Sequence, residues 1–346
     1  MRQTPGTAEA PFSYVSILLK MPAFALAASF VLLPFGAAAQ AQSTARTDVL
    51  DVHHLPLGDG RVSSDPRRGY VMSCMTTFRG GGAQNAGPWI HGQTWDLTEK
   101  ISVQGRVAWP EATFRIATQG DWVVTRTLEG NGLPVDTPTG SFPIAHDDPA
   151  FQIDRNPNAI APHQILLALP SNPKLAAESA CVPMGMIGVA LNGVAVYNAL
   201  DDGGRDAVAH EVQDICNGHP QMQGQYHYHG PSACLPNQTA NETLIGYALD
   251  GFGIYSMYDA QGRELTDADL DECHGRTSEV LWDGSRVSIY HYVLTREYPY
   301  TVGCFRGTPV RIARPGGGGR MDRMPPPGMP PGGPPDGPPG SFGPPN

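Results

Sequence analysis

Short apolar runs broken by turn residues dominate the chain between about residues 69 and 310, and helical spacing over a dozen residues is almost absent. In the first part of this region, apolar and polar positions alternate over residues 101–107, 112–117 and 122–127. Alternation with many β-branched residues is typical of half-buried strands. The pattern therefore predicts a β-rich segment over about residues 70–170.

One stretch of the chain appears twice: residues 188–197 (GVALNGVAVY) recur as residues 246–255 (GYALDGFGIY). Asn192-Gly193 and Asp250-Gly251 predict a type I′ hairpin turn in each copy. Further landmarks follow in the same order, namely DICNGH at 214–219 and DECHGR at 271–276, YHYH at 226–229 and YHYV at 290–293, and Cys234 and Cys304. We predict two pseudo-equivalent units, about 185–235 and 243–306, that pack about an approximate two-fold axis.

The two ends of the chain differ in composition from the middle. An apolar run at 21–35, preceded by Lys20 and followed by small residues, predicts an export signal over residues 1–41. The run is short and holds two prolines, which disfavours a membrane anchor. Residues 42–69 are expected to be a poorly ordered lead-in, and the Pro/Gly-rich residues 311–346 a disordered tail. We expect an exported protein, periplasmic or extracellular, with no transmembrane segment in the mature chain.

The formal net charge is −10 and basic clusters are absent, which argues against nucleic acid as a partner. Six cysteines in an exported chain predict three disulfides. Equivalence of the two units pairs Cys216 with Cys234 and Cys273 with Cys304, which leaves Cys74 with Cys181. A metal–thiolate site would need closely spaced pairs such as CxxC, and the sequence has none. The predicted fold is a mainly β, disulfide-braced globular domain over about residues 70–310 with an internal pseudo-two-fold repeat.

The YHYH tetrapeptide holds the densest set of residues able to carry chemistry. Alternate residues of a strand share a face, so His227 and His229 should point one way and the two tyrosines the other. His219 lies within the loop that Cys216–Cys234 would close. We predict that His219, His227 and His229 bind a transition metal ion (zinc, copper or iron), with His291 as a fourth ligand across the pseudo-axis. The alternative is that these residues are hydrogen-bonded members of the core.

Two functions remain open at this point. In the first, the chain is an exported metal-binding protein, and three ligands leave an open position at which an enzyme could activate water or a redox substrate. Glu211, Asp214 or Asp250 would then orient an imidazole or act as a general base. In the second, the chain is a non-catalytic module that binds a glycan, another exported protein, or an unknown small molecule or surface ligand through exposed aromatic residues, the five tryptophans among them. Nucleophile-elbow and nucleotide-loop motifs are absent, so the sequence assigns no reaction.

Several of these motifs resemble those of the YHYH domain family, exported proteins named for the tetrapeptide. They are DICNGHP at 214–220, YHYH at 226–229, GYALDGF at 246–252, YHYV at 290–293 and YPYTVGCF at 298–305. The similarity runs from about residue 87 to residue 307. The resemblance implies an extracytoplasmic domain and brings no established activity with it.

Overall fold

The strands of the two predicted units lie in one eight-stranded sheet. The protein is seen in a computed structural model that describes residues 50–119, 124–235 and 239–312. The predicted export signal, and the predicted tail from residue 313 onward, lie outside the described residues. The fold is mainly β, as predicted, and its helices are single turns: α1 (Ala207–His210) and 3₁₀ helices at Pro149–Gln152 and Asp267–Asp269.

The described strands, in chain order, are β1 (Leu55–Pro56), β2 (Val62–Ser63), β3 (Val71–Met72), β4 (Ile90–His91), β5 (Thr94–Trp95), β6 (Phe114–Gln119), β7 (Thr125–Gly130), β8 (Ile165–Pro170), β9 (Met186–Ala190), β10 (Ala195–Tyr197), β11 (Gly218–Pro220), β12 (Tyr226–Tyr228), β13 (Leu244–Ala248), β14 (Gly253–Tyr255), β15 (Gly275–Trp282) and β16 (Ser285–Val293).

The strand order across the large sheet is β11-β12-β10-β9-β13-β14-β16-β15. β9 and β13 pair antiparallel at the centre, and each pairs on its other side with its hairpin partner, β10 or β14. Next come β12 and β16, which run parallel to β10 and β14, and then β11 and β15. Each strand of the first unit thus has the same place, counted from the centre, as its sequence counterpart in the second. The pseudo-two-fold relation itself stays a prediction.

Glycine is required where the two central strands meet. A Cβ atom on Gly188 would lie 2.7 Å from the carbonyl oxygen of Tyr247, and one on Gly246 would lie 2.5 Å from that of Val189. Such distances are shorter than any side chain tolerates against backbone, so β9 and β13 approach closely only because both positions lack a side chain.

The two predicted hairpins form, but with a different turn. Gly193 and Gly251 have φ values of +84° and +89°, and Asn192 and Asp250 are not among the residues with positive φ. The glycine N–H bonds to the carbonyl three residues earlier, on Ala190 or Ala248, in each copy. This is a type I turn followed by a left-handed glycine, the usual three-residue hairpin loop, and not the predicted type I′ turn.

All three predicted disulfides are confirmed: Cys74–Cys181, Cys216–Cys234 and Cys273–Cys304. The second and third bridges lie at matching places in the two halves of the large sheet. Cys216 and Cys234 enclose β11 and β12, and Cys273 and Cys304 enclose β15 and β16.

The segment before residue 170 departs from the prediction in three respects. Residues 101–107 make only isolated bridges, at Val103 and Val107, because neither bridge extends into a ladder. The expected strands at 112–117 and 122–127 are displaced by two or three residues and form β6 and β7, which pair with β8. Residues 50–69, expected to be poorly ordered, contain β1 and β2 and bury Leu55 and Leu57 in the core.

Candidate metal centre

His219 and His227 are cross-strand neighbours. β11 pairs antiparallel with β12, and this register sets His219 directly opposite His227, so both side chains lie on one face. His229 follows β12 by one residue and returns to the face of His227, as the alternation of a strand requires. The Cys216–Cys234 bridge holds the two ends of this segment together.

The three predicted ligands converge on one point. One side-chain nitrogen from each of His219, His227 and His229 lies within 4.8 Å of the others, and all three residues are buried. The Nε2 atoms of His227 and His229 are 3.0 Å apart. The clustering predicted from the sequence is therefore present in the fold.

Backbone carbonyls orient two of the rings. Nδ1 of His227 lies 3.0 Å from the carbonyl oxygen of Gln225, and Nδ1 of His229 lies 2.5 Å from that of Asn198. A carbonyl oxygen only accepts hydrogen bonds, so each Nδ1 carries the proton and each Nε2 keeps its lone pair. His219 differs, because its Nδ1 faces the side-chain nitrogen of Asn156 at 3.4 Å, a long contact.

Burial keeps these imidazoles neutral. It lowers the pKa of His229 to about 4. Burial, reinforced by the neighbouring rings, also holds the pKa values of His219 and His227 well below their ordinary value. Neutral imidazole is the form that binds metal, so the cluster is ready to act as a ligand set at neutral pH.

Glu211 joins the histidines. Its Oε2 atom lies 3.3 Å from Nε2 of His219 and 3.5 Å from Nε2 of His229. Burial raises the pKa of Glu211 well above its ordinary value, and the carboxylates of Asp154 and Asp201 add to the effect. Of the three acidic residues named from the sequence, this is the one that the fold brings to the cluster.

Asp214 and Asp250 are held by hydrogen bonds elsewhere. Asp214 accepts from the Tyr226 hydroxyl and from the backbone N–H of Gly140, which ties the turn before β11 to the preceding segment. Asp250 accepts from the Tyr292 hydroxyl in the other half of the sheet. Both carboxylates therefore stabilise turns and are not part of the cluster.

His291 does not join the other three histidines, and the expectation of a fourth ligand at this position is corrected by the strand order. It lies on β16, and four strands separate β16 from β12 in the sheet. Neighbouring strands lie about 4.8 Å apart, so the separation is many times a metal–ligand distance. Nδ1 of His291 lies 3.0 Å from the carbonyl oxygen of Ile289, the same local contact that His227 makes.

The position of His229 is apolar in the second half. Val293 stands two residues after His291, as His229 stands after His227, and it is buried in a separate small cluster with Leu265 and Leu270. The second half thus keeps the strand arrangement and has an aliphatic side chain where the first half has His229.

Residues of the lead segment complete the surroundings of the site, and sequence reasoning missed them. Asn156 approaches His219, and Asp154 accepts from the backbone N–H of Val212, next to Glu211. Lys100 donates to the side-chain oxygen of Gln213, and burial lowers the pKa of Lys100 to about 8. These residues are more than 50 positions from the histidines, so no local pattern could have pointed to them.

The tryptophans give little support to an aromatic binding face. Trp89, Trp95 and Trp282 are buried in the main core, and Trp109 is half-buried, with its ring N–H bonded to Thr139. Trp122 lies outside the described residues.

Comparison with known proteins bears on the central part of the chain. The model of the YHYH protein family matches residues 167–267, a range that contains Glu211 and the three clustered histidines. The resemblance seen in the motifs is confirmed for this range. No curated protein and no solved structure matches the chain. Within the described residues, no helix has the length and apolar character needed to cross a membrane.

Proposed function

We propose that this YHYH-domain chain is an exported metal-binding protein whose ion is held by the Nε2 atoms of His219, His227 and His229. The contact between His227 and His229 carries the proposal. Two neutral rings, each with its Nδ1 proton bonded to a carbonyl, bring their Nε2 lone pairs within 3.0 Å of each other. Facing lone pairs repel unless a cation lies between them. A proton is a poor cation for this purpose because burial disfavours the charged imidazole, and a metal ion is a good one.

The second half of the sheet supports a chemical role for the histidines. Arg276 lies opposite His291 in the β15–β16 pairing, as His219 lies opposite His227, and Val293 is packed among leucines. The same strand arrangement therefore folds with an arginine, a histidine and a valine at these positions, and three histidines are not needed to complete it. Side chains that the fold does not need, gathered at one point, favour a ligand site.

The donor set and the disulfides support the kind of ion and the compartment. Three imidazole nitrogens suit zinc, copper or iron. All six cysteines are paired, which fits an oxidising environment such as the periplasm or the cell exterior. The matching strand order and the matching disulfides also support the proposal that about 185–235 and 243–306 are repeats of one unit.

Elemental analysis of three purified proteins tests the site. We expect about one transition metal ion per chain in the wild type and in His291→Val, and loss of the ion in His229→Val. The two variants are matched, since each replaces a buried histidine of the same sheet by the valine that stands at position 293. Circular dichroism checks that both are folded. A folded His229→Val protein that binds metal as tightly as its parent would show that the cluster is structural.

A further inference from the structure

We infer that Glu211 is the fourth ligand, so that the ion has a closed shell of three imidazole nitrogens and one carboxylate oxygen. The inference rests on the proposed function and takes it further. A closed shell leaves no open position for water or substrate, so the ion is a structural tie and not a catalytic centre. Zinc, which favours four-coordinate tetrahedral sites with such donors, is the ion that this shell suits best.

Three of the six distances among the four ligand atoms have the length of a tetrahedral edge. Metal–ligand distances of about 2.05 Å give tetrahedral edges of about 3.3 Å. The edges from Oε2 of Glu211 measure 3.3 Å to His219 and 3.5 Å to His229, and the edge between His227 and His229 measures 3.0 Å. All three are close to the expected length, and Glu211 contributes two of them.

The Glu211 carboxylate has an oxygen that the described chain does not satisfy. Oε2 is buried, with no hydrogen-bond partner among the residues that the structure describes, and the same holds for Nε2 of His219. An uncompensated buried carboxylate is strongly unfavourable. The neighbouring Asp154 is different, because its two oxygens accept from the backbone N–H groups of Asn156 and Val212. A cation among the Nε2 atoms would satisfy both unpaired atoms at once.

Glu211 reaches the cluster from a part of the chain that is anchored separately. Glu211 is the C-cap of α1, and its backbone N–H donates to the carbonyl oxygen of Ala207, the first residue of that helix. Asp206, the N-cap of α1, accepts from the Tyr300 hydroxyl and from the backbone N–H of Gly58. The position of Glu211 therefore does not depend on the loop that carries the histidines. An ion held by both would join α1 to β11 and β12.

Cobalt(II) is the probe, because its visible spectrum reports the coordination number and azide reports an open position. We expect cobalt-loaded wild-type protein to show the intense visible bands of a four-coordinate ion, and we expect this spectrum not to change when azide is added. Glu211→Ala should bind cobalt more weakly by more than the roughly 10–100-fold that loss of an outer-shell partner costs. Its spectrum should change when azide is added. Glu211→Gln preserves the size of the side chain, so its cobalt affinity can be measured if the alanine variant does not fold.

Asp202→Asn is the charge-matched control. Asp202 is exposed, and its charge acts on Glu211 from a distance. This variant should keep the wild-type spectrum and the insensitivity to azide. An azide response in wild-type protein, or a wild-type spectrum and affinity in the Glu211 variants, would overturn the inference. Two other results would contradict the proposed function itself. They are wild-type protein that binds no cobalt, and His229→Val protein that binds as much cobalt as the wild type.

Discussion

Tyr226 donates its hydroxyl hydrogen to the carboxylate of Asp214, with distances of 2.8 Å to Oδ2 and 3.0 Å to Oδ1. The tyrosines of β12 face away from the imidazoles, so this bond holds one side of the strand and leaves the other side to the histidines. Tyr290 makes the same bond to Asp271 in the second half, at 3.0 Å. The framework is shared by both halves, and the histidine cluster is present only in the first.

Loss of the Tyr226 hydroxyl should therefore lower stability without removing the ion. Tyr226→Phe leaves a buried carboxylate with one donor fewer, and hydrogen bonds to charged groups contribute about 1.5–3 kcal/mol. Urea unfolding should show a decrease of that size in the free energy of unfolding, while elemental analysis shows an unchanged metal content. Loss of the ion at unchanged stability would mean that the hydroxyl acts on the site and not on the framework.

The repeated sequence motifs made the disulfides and the facing of the histidines predictable. Matching cysteines in two units selected one disulfide pattern among many, and strand alternation in the tetrapeptide was enough to direct His227 and His229 to one face. The position of a strand within a sheet cannot be predicted from the local sequence of that strand. His291 has the local sequence of His227, yet it lies in the other half of the sheet because β9 and β13 form the centre.

Glu211 illustrates why the carboxylate that lies beside the histidines could not be selected from the sequence alone. It was one of three acidic residues near the histidines in the chain, and local sequence does not separate them. Its place is set by α1, a single turn anchored by contacts from Asp206 to Gly58 and Tyr300. Those contacts span 148 and 94 residues, a range at which periodicity and turn signals carry no information.

Acid should destabilise the metal-free protein through its buried histidines. Burial lowers the pKa values of His229 and His291 to about 4, so between about pH 6.5 and pH 4 the unfolded rings bind protons and the folded rings do not. The free energy of unfolding then falls by up to about 1.4 kcal/mol per pH unit for each ring. Urea unfolding with a chelator at about pH 7 and pH 5 should show a smaller fall in His291→Val than in the wild type.

That comparison isolates one ring. Burial raises the pKa of Glu211, so Glu211 has the opposite effect and favours the folded state as the pH decreases. Its contribution is common to the wild type and to His291→Val and cancels in the difference. Identical pH dependence in the two proteins would show that His291 is protonated as easily in the folded state as in the unfolded state.

The two disulfides at matching places should differ in their effect on metal binding. Cys216–Cys234 spans 18 residues around the histidines, and Cys273–Cys304 spans 31 residues in the half without the cluster. Replacing either pair with alanine should lower stability by about 2–4 kcal/mol. Only the first replacement should weaken metal affinity, measured by competition with a chelator. Equal weakening by both would mean that affinity follows global stability and not the closure of the ligand loop.

Arg126 and Asp283 form an ion pair of unequal burial. The guanidinium lies 4.4 Å from the ring of Tyr247 and 4.7 Å from that of Trp282, and its side chain is 1% exposed, against 50% for Asp283. Asp283→Asn leaves a buried cation with a weaker partner, so we expect the free energy of unfolding to decrease by about 3 kcal/mol. Arg126→Met leaves a carboxylate that is accessible to water, so this variant should show a smaller decrease in the free energy of unfolding. Thermal or urea unfolding that ranks the two variants in the opposite order would contradict this account.

The second half of the sheet offers a constructive test of both the predicted repeat and the proposed ligand set. Arg276 lies opposite His291 in the pairing of β15 with β16, and Val293 is two residues after His291. The double substitution Arg276→His and Val293→His should therefore place three imidazoles on one face. We expect the double variant to take up a second cobalt ion, more weakly than the first because Leu265 and Leu270 provide no carboxylate. For the same reason the second ion should respond to azide and the first should not.

Val293→His alone is the control, since two imidazoles should not hold the second ion. The new imidazole replaces an aliphatic side chain packed against Leu265 and Leu270, so circular dichroism must show that the double variant is folded. A folded double variant that still takes up one ion per chain would mean that equal strand order does not produce equal side-chain geometry. The repeat would then include only the framework of strands, disulfides and Asp–Tyr hydrogen bonds. The geometry of the histidine cluster would instead depend on the elements that pack against the sheet near His219, which are α1 and the lead segment.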